Sequence, residues 1–123
     1  MPTRPLTQST LKWPDDVEVR RALERWARAQ RSAHPELCRL GFFGSYARGD
    51  WGVGSDLDLV AVVTHCEEPF ERRARTWATE RLPVPADIVI YTEDEWHALL
   101  RSGTRFARTL SRETVWVFPG GEV

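Results

Sequence analysis

The sequence has 123 residues, a formal net charge of −1 and a hydrophobic content of 41%. This length suits one domain with a single core. The near-neutral charge gives no bulk electrostatic reason to expect nucleic-acid binding. The sequence has no apolar run of the roughly 20 residues that a membrane-spanning helix needs. Its N-terminus lacks the apolar core of a signal peptide, so we expect a cytoplasmic location.

The chain begins with a segment that differs from the rest. Residues 1–14 contain three prolines and little periodicity, and we interpret them as an N-terminal arm. Leu11 and Trp13 of this arm are candidates for docking on the core. Residues 15–123 are interpreted as one domain.

The domain is predicted to begin with an amphipathic helix. Asp15 or Asp16 can cap its first turn, and apolar residues then recur at three- and four-residue steps to about Ala33. The outer face of this helix carries arginines that we interpret as solvated, in preference to a partner or nucleic-acid surface: Arg20, Arg21, Arg25, Arg28 and Arg31.

A sharp turn follows the first predicted strand, residues 37–43. The strand ends at Gly44-Ser45 and leads into a short helix, whose free backbone N–H groups can hold an anion, phosphate above all. Gly44 allows close approach of the backbone, and Ser45 offers a hydroxyl. Arg48 could add a positive charge there, or it could brace the loop against a carboxylate. The turn is therefore a candidate phosphate site.

The loop after this turn offers two further candidates. Trp51 could stack on a nucleotide base, or it could equally cover the edge of the core. Asp50 is interpreted as a loop residue and not as a metal ligand.

Two carboxylates stand at the start of the second predicted strand, residues 57–63. Side chains alternate between the faces of a strand, so Asp56 and Asp58 point the same way. Like charges at that spacing repel unless a cation lies between them. Ligands that are all oxygen favour magnesium or manganese. A phosphate site and a metal site about a dozen residues apart are the parts that chemistry on a nucleoside triphosphate needs.

The second half of the chain alternates helices and strands. A helix is predicted from about Pro69 to Arg81, with Phe70, Ala74, Trp77 and Ala78 on one side and Arg72, Arg73 and Arg75 among the other positions. A strand follows at 86–91, then a capping box at Thr92 and Glu95, a helix to about Gly103, a short helix at 104–110 and a last strand at 114–118. This order predicts an α/β (α+β) fold, with a mixed sheet of about four strands covered mainly by helices.

Asp87 is the one charged residue of the predicted strand at 86–91. It could simply begin the strand. Beside an Asp-x-Asp pair, we favour its assignment as the third acid of the site.

The motifs together resemble those of the polymerase-beta-type nucleotidyltransferase superfamily. The residues that carry the likeness are Gly44-Ser45-Tyr46-Ala47-Arg48-Gly49 and, after a short spacer, Ser55-Asp56-Leu57-Asp58-Leu59. More narrowly, the chain resembles the minimal nucleotidyltransferases, which are often paired with a HEPN-domain protein as antitoxin and toxin. The resemblance implies the nucleotidyltransferase fold and a third acid on the strand after the intervening helix, which agrees with Asp87.

The resemblance also implies a chemistry for each motif. Asp56, Asp58 and Asp87 would bind two Mg²⁺ ions, and Asp87 would accept the proton of the acceptor. Gly44, Ser45 and, in one reading, Arg48 would hold the phosphates of ATP or another nucleoside triphosphate. The product would be a nucleoside monophosphate, with AMP favoured, on an acceptor hydroxyl.

We cannot assign an acceptor site to any segment of this sequence, and we expect none after the last predicted strand. We therefore expect a protein partner of the HEPN type, whose tyrosine is the leading candidate acceptor in the family. The alternative is a non-catalytic antitoxin that binds a nucleotide and acts by contact. An aminoglycoside nucleotidyltransferase is a weaker third reading.

Overall fold

The computed structural model describes residues 13–119. Its four strands form one sheet in the order β3-β2-β1-β4. β1 is antiparallel to both β2 and β4, whereas β2 and β3 are parallel. The elements in chain order are α1 (Asp16–Ala33), β1 (Leu37–Phe43), α2 (Ser45–Arg48), β2 (Leu57–Val63), β3 (Ala86–Thr92), α3 (Glu93–Arg101), α4 (Arg105–Glu113) and β4 (Val115–Phe118). The predicted mixed α+β fold is confirmed.

Helix α1 covers one face of the sheet. Asp15 caps it in a capping box with Glu18, as the acidic residues before the helix predict. Its apolar stripe is buried together with the odd-numbered positions of β2 and two residues of β1: Val19, Leu23, Trp26, Ala27, Leu40, Phe42, Leu57, Leu59, Ala61 and Val63. Both sides of β2 are buried because it is an internal strand.

Helices α3 and α4 cover the opposite face. Trp96 of α3 and Leu110 of α4 form a second buried cluster with Val60 and Val62 of β2. The predicted capping box at Thr92 and Glu95 begins α3. Because side chains alternate along a strand, Asp58 lies on the same face of β2 as this second cluster.

The prediction of a continuous helix from Pro69 to Arg81 is wrong. The segment instead forms two short 3₁₀ turns, Phe70–Thr76 and Thr79–Arg81. Between them, Trp77 adopts an extended conformation, is 4% exposed, and stacks on His34 with ring centroids 3.9 Å apart. Phe70, predicted to share its buried side, is 49% exposed. Burial of one large ring outweighs the helical pattern here.

Residues 1–12, most of the predicted arm, lie outside the described part of the chain. Trp13 is described, and it packs against the core and donates a hydrogen bond of 3.1 Å from Nε1 to the Tyr46 hydroxyl. The extent of the arm stays a prediction. None of the helices within residues 13–119 has the length and apolarity needed to cross a membrane.

Candidate functional site

Two of the predicted acids stand next to each other at the edge of the sheet. Asp58 on β2 and Asp87 on β3 are partners in the parallel register. Side chains of partners in parallel strands project from the same face, and the strands lie about 4.8 Å apart. Asp56 precedes β2 by one residue and is exposed, as is Asp87, whereas Asp58 is half-buried.

The Asp58 carboxyl is electrostatically disfavoured as an anion. Burial raises its pKa above the ordinary value, and the neighbouring charges of Asp87, Asp56 and Glu113 raise it further. Arg48 opposes this rise. Perturbed carboxyls of this kind mark candidate functional sites, because an excess of negative charge is kept there at a cost in stability.

The donor chemistry suits a hard divalent cation. Asp58 and Asp87 supply only oxygen atoms, which magnesium prefers. A cation between them would also relieve the repulsion that raises the pKa of Asp58. Within residues 13–119, however, no three His, Cys, Asp or Glu side chains already converge to form a metal site. Binding by Asp56, Asp58 and Asp87 together therefore stays a prediction.

The Gly44 turn lies directly against Asp58 of this pair. Gly44 has φ +82° and ψ −153°, a backbone region that is essentially restricted to glycine. A Cβ atom at this position would overlap Oδ2 of Asp58. Glycine is therefore required both by the backbone conformation and by the close approach of the carboxylate. The predicted turn into a short helix, α2, is confirmed.

Ser45 and Arg48 begin and end α2. Ser45 is half-buried, and its carbonyl accepts hydrogen bonds from the backbone N–H groups of Gly49 and Asp50. The Arg48 guanidinium donates to the Asp50 carboxylate at 3.0 Å, so Arg48 does brace the loop. Asp50 is exposed and bound to Arg48, which agrees with its interpretation as a loop residue.

Trp51 packs parallel to the ring of Tyr46, with centroids 5.4 Å apart and an interplanar angle of 7°. Trp51 is half-buried against the main core. This packing favours its role as a cover for the core edge over the alternative of base stacking.

Glu113 is the site residue that the sequence analysis missed. It is the last residue of α4, and its carboxylate accepts a hydrogen bond of 2.9 Å from the Gly44 backbone N–H. The same carboxylate pairs with Arg48 at 3.4 Å. The predicted helix ended at residue 110, so Glu113 was not assigned to any element. A glutamate at a helix C-terminus, where the macrodipole disfavours negative charge, was the available signal.

The family model for the nucleotidyltransferase domain matches residues 19–117. This range includes the Gly44 turn, all three predicted acids and Glu113. A search of curated proteins finds no significant match.

Solved structures share the fold at low sequence identity. A candidate nucleotidyltransferase from Sulfolobus solfataricus is 19% identical, with a TM-score of 0.59 over 82% of this chain and 80% of that chain. A toxin–antitoxin structure with AMP-PNP is also 19% identical, with a TM-score of 0.50 over 80% of this chain and 71% of that chain. At these identities the likeness shows the fold alone. Because the family model spans most of the chain, this protein belongs to the nucleotidyltransferase domain family.

Proposed function

We propose that the chain transfers AMP from ATP to a hydroxyl group of an acceptor in a magnesium-dependent reaction, in which the acceptor oxygen bonds to the α-phosphorus and pyrophosphate leaves. The observation that carries the proposal is the register of Asp58 with Asp87 directly beside the Gly44 turn. Membership of the family supports nucleotidyl transfer from a nucleoside triphosphate in general. The base, the metal and the acceptor are our finer assignments.

Each residue has a defined task in this proposal. Gly44 and Ser45 hold phosphate oxygens through the backbone N–H and the hydroxyl, and Arg48 adds positive charge. Asp58 and Asp87, with Asp56, hold two magnesium ions. Bound magnesium would neutralise phosphate charge and favour ionisation of the acceptor hydroxyl. Asp87, which is exposed, can receive the acceptor proton.

We assign the acceptor as a tyrosine of a HEPN-type protein partner, as in the minimal nucleotidyltransferases that the motifs resemble. The fold shared with a toxin–antitoxin structure that contains AMP-PNP is compatible with both a nucleotide and a partner. The exposed position of Asp87 also leaves the acceptor side of the site accessible to a second protein.

The first test is calorimetric titration of ATP into the wild type and the double variant Asp56→Asn/Asp58→Asn, with and without Mg²⁺. We expect magnesium-dependent binding that is lost in the double variant, because its neutral amides are poor magnesium ligands. The exposed double variant Glu80→Gln/Asp94→Asn, which removes the same two negative charges, is the control for a change in net charge. Equal binding by both proteins would refute the metal assignment.

The second test measures transfer. A HEPN-type protein that binds this chain is incubated with the wild type or with Asp58→Asn and with ATP labelled in the α-phosphate. We expect labelled partner only with the wild type, and loss of the label when the acceptor tyrosine is replaced by Phe. Turnover by a folded Asp58→Asn protein would contradict the assigned mechanism.

A non-catalytic antitoxin is the second candidate. It is favoured by one observation: carboxylates of the chain itself already bind the Gly44 N–H and Arg48. In this case the wild type would form a stable complex with its partner and silence it without ATP. Equal neutralisation by the wild type and by Asp58→Asn, without label transfer, would select this function.

A further inference from the structure

The Glu113 carboxylate contacts two of the three groups that the proposed function assigns to phosphate. The Gly44 N–H donates to Oε1 of Glu113 at 2.9 Å. One nitrogen of Arg48, Nη1, lies 3.4 Å from both Oε1 and Oε2 of Glu113. A backbone N–H at a glycine turn together with an arginine is a typical set of phosphate ligands. In this structure, an anion belonging to the chain binds them.

The position of Glu113 is unfavourable for a negative charge on two independent grounds. It ends α4, a helix of nine residues, where the macrodipole is negative. It is also close enough to Asp58 for its negative charge to contribute to the raised pKa of the Asp58 carboxyl. Its side chain is only 18% exposed, so water screens these repulsions incompletely. The contacts with Gly44 and Arg48 offset these repulsions. Because favourable and unfavourable contacts are balanced, another anion can displace the Glu113 carboxylate.

We propose that Glu113 is an internal anion that occupies the phosphate position at Gly44 and Arg48, and that a triphosphate must displace it to bind. This inference rests on the proposed function, which supplies the triphosphate. In the free protein, Glu113 occupies the donors of the Gly44 turn, and a polyanion with more charge displaces it by competing for the same donors. We call this competition the Glu113 gate.

The structure leaves room for the displacement. An open cavity of about 300 Å³ is lined by Thr109, Arg112 and Glu113 itself. Because Glu113 lines this cavity, rotation about its side-chain bonds has open space into which the carboxylate can move. Arg48 is 49% exposed and already shares its guanidinium between Glu113 and Asp50. It can therefore turn from Glu113 to a phosphate while it keeps its contact with Asp50.

The test compares phosphate binding by the wild type and by Glu113→Gln. Glutamine keeps the shape of the side chain and can still accept a hydrogen bond from the Gly44 N–H, but it lacks the negative charge of glutamate. Inorganic tripolyphosphate is titrated calorimetrically at low salt in the presence of EDTA, so that no metal contributes. We expect the Kd to fall about tenfold in Glu113→Gln, because a like charge is removed from the site. Glu113→Ala, which also empties the site, should bind at least as tightly as Glu113→Gln.

The matched control is Glu80→Gln, which changes the net charge equally at an exposed position outside the site. Its Kd should stay within about twofold of the wild-type value, because exposed charges at a distance are screened. An equal decrease of the Kd in Glu80→Gln would show that the effect comes from net charge alone, and it would overturn the proposal. An unchanged or weaker Kd in Glu113→Gln would also overturn it.

A second titration with ATP and Mg²⁺ separates this proposal from the proposed function. If the wild type binds Mg-ATP but Glu113→Gln does not improve tripolyphosphate binding, the gate is wrong and the nucleotide site stands. If Glu113→Gln weakens Mg-ATP binding while metal-free binding is unchanged, Glu113 is a metal ligand and the gate is wrong. If no variant binds either probe, both the gate and the nucleotide site are refuted.

Discussion

Two clusters of this molecule each pair an arginine with a glutamate. In one cluster the positive and negative charges are balanced, whereas in the other negative charge is in excess. Arg73 is 8% exposed and donates to the carbonyl of Glu68, to the buried carbonyl of Ile90 and to both oxygens of Glu95. Its hydrogen bond with Glu95 lowers the pKa of that carboxyl below its ordinary value. The Arg73 guanidinium and the Glu95 carboxylate thus each have an oppositely charged hydrogen-bond partner. This cluster, the Arg73 cluster, holds the irregular 69–81 segment against β3 and α3.

The cluster around Asp58 lacks this balance. Arg48 is the cation beside Asp58 and Glu113, it is half exposed, and it also binds Asp50. The pKa of Asp58 is raised, chiefly by burial and by Asp87. The same residue types thus produce a stabilising ion pair in one cluster and an excess of negative charge in the other. That excess provides an energetic reason for the Asp58 cluster to bind cations.

The largest effect on stability is expected from the Arg73 cluster. Arg73→Ala removes four hydrogen bonds and leaves the Ile90 carbonyl buried without its donor. The free energy of unfolding should fall by about 3 kcal/mol. Arg72→Ala, an exposed neighbour, should change it by less than about 0.5 kcal/mol. Urea denaturation measures both, and equal losses would show that Arg73 contributes no more than a surface arginine.

The difference between the clusters also explains what the sequence could predict. Strand alternation and the order of elements are local patterns, and they predict Asp56, Asp58 and Asp87 as candidate site residues, of which the structure pairs Asp58 with Asp87. The pairing of Gly44 with Glu113 joins residues 69 positions apart, and that of Arg73 with Glu95 joins residues 22 apart. No periodicity encodes such contacts. The sequence predicts Arg73 only as one of three arginines opposite the apolar side of the 69–81 segment, and it does not distinguish Arg73 from Arg72 and Arg75, which are exposed.

The second prediction concerns the glycine of the Asp58 cluster. Gly44→Ala should lower the free energy of unfolding by about 2 kcal/mol, because alanine is strained at this φ and ψ. The new methyl group would also push against the Asp58 carboxylate, so nucleotide binding should be lost. Gly49→Ala is the matched control. Gly49 has φ +85° and ψ +10°, and no residue outside its immediate chain neighbours has an atom within 4 Å of the position that a methyl group would take, so only about 1 kcal/mol should be lost.

The Asp58 cluster should gain stability when one charge is removed. Asp58→Asn relieves repulsion by Asp87, Asp56 and Glu113, and we expect the Tm to rise by about 2–4 °C. Added Mg²⁺ should raise the Tm of the wild type and leave that of the variant unchanged. Asp94→Asn should slightly lower the Tm, because Asp94 lies in the first turn of α3, where negative charge is favourable. A lower Tm for Asp58→Asn would show that its carboxylate stabilises the fold.

The smallest effect is the pH dependence of this gain in stability, and the two clusters should differ in its sign. The pKa of Asp58 is raised in the folded protein, so its protonated form is favoured and the wild type loses stability as pH rises through that raised value. The stability advantage of Asp58→Asn over the wild type should therefore vanish below about pH 3.9, the ordinary pKa of aspartate, and grow as pH increases.

In the Arg73 cluster the pKa of Glu95 is lowered, so the contribution of Glu95 to stability is complete above its ordinary pKa and is lost as acid protonates it. The cost of Arg73→Ala should thus shrink as pH falls below about 4.3, the ordinary pKa of glutamate, whereas the advantage of Asp58→Asn changes only above about pH 3.9. Metal-free unfolding curves across this range measure both trends. If the stability of both variants relative to the wild type changed with pH in the same direction, the two clusters would not differ in charge balance.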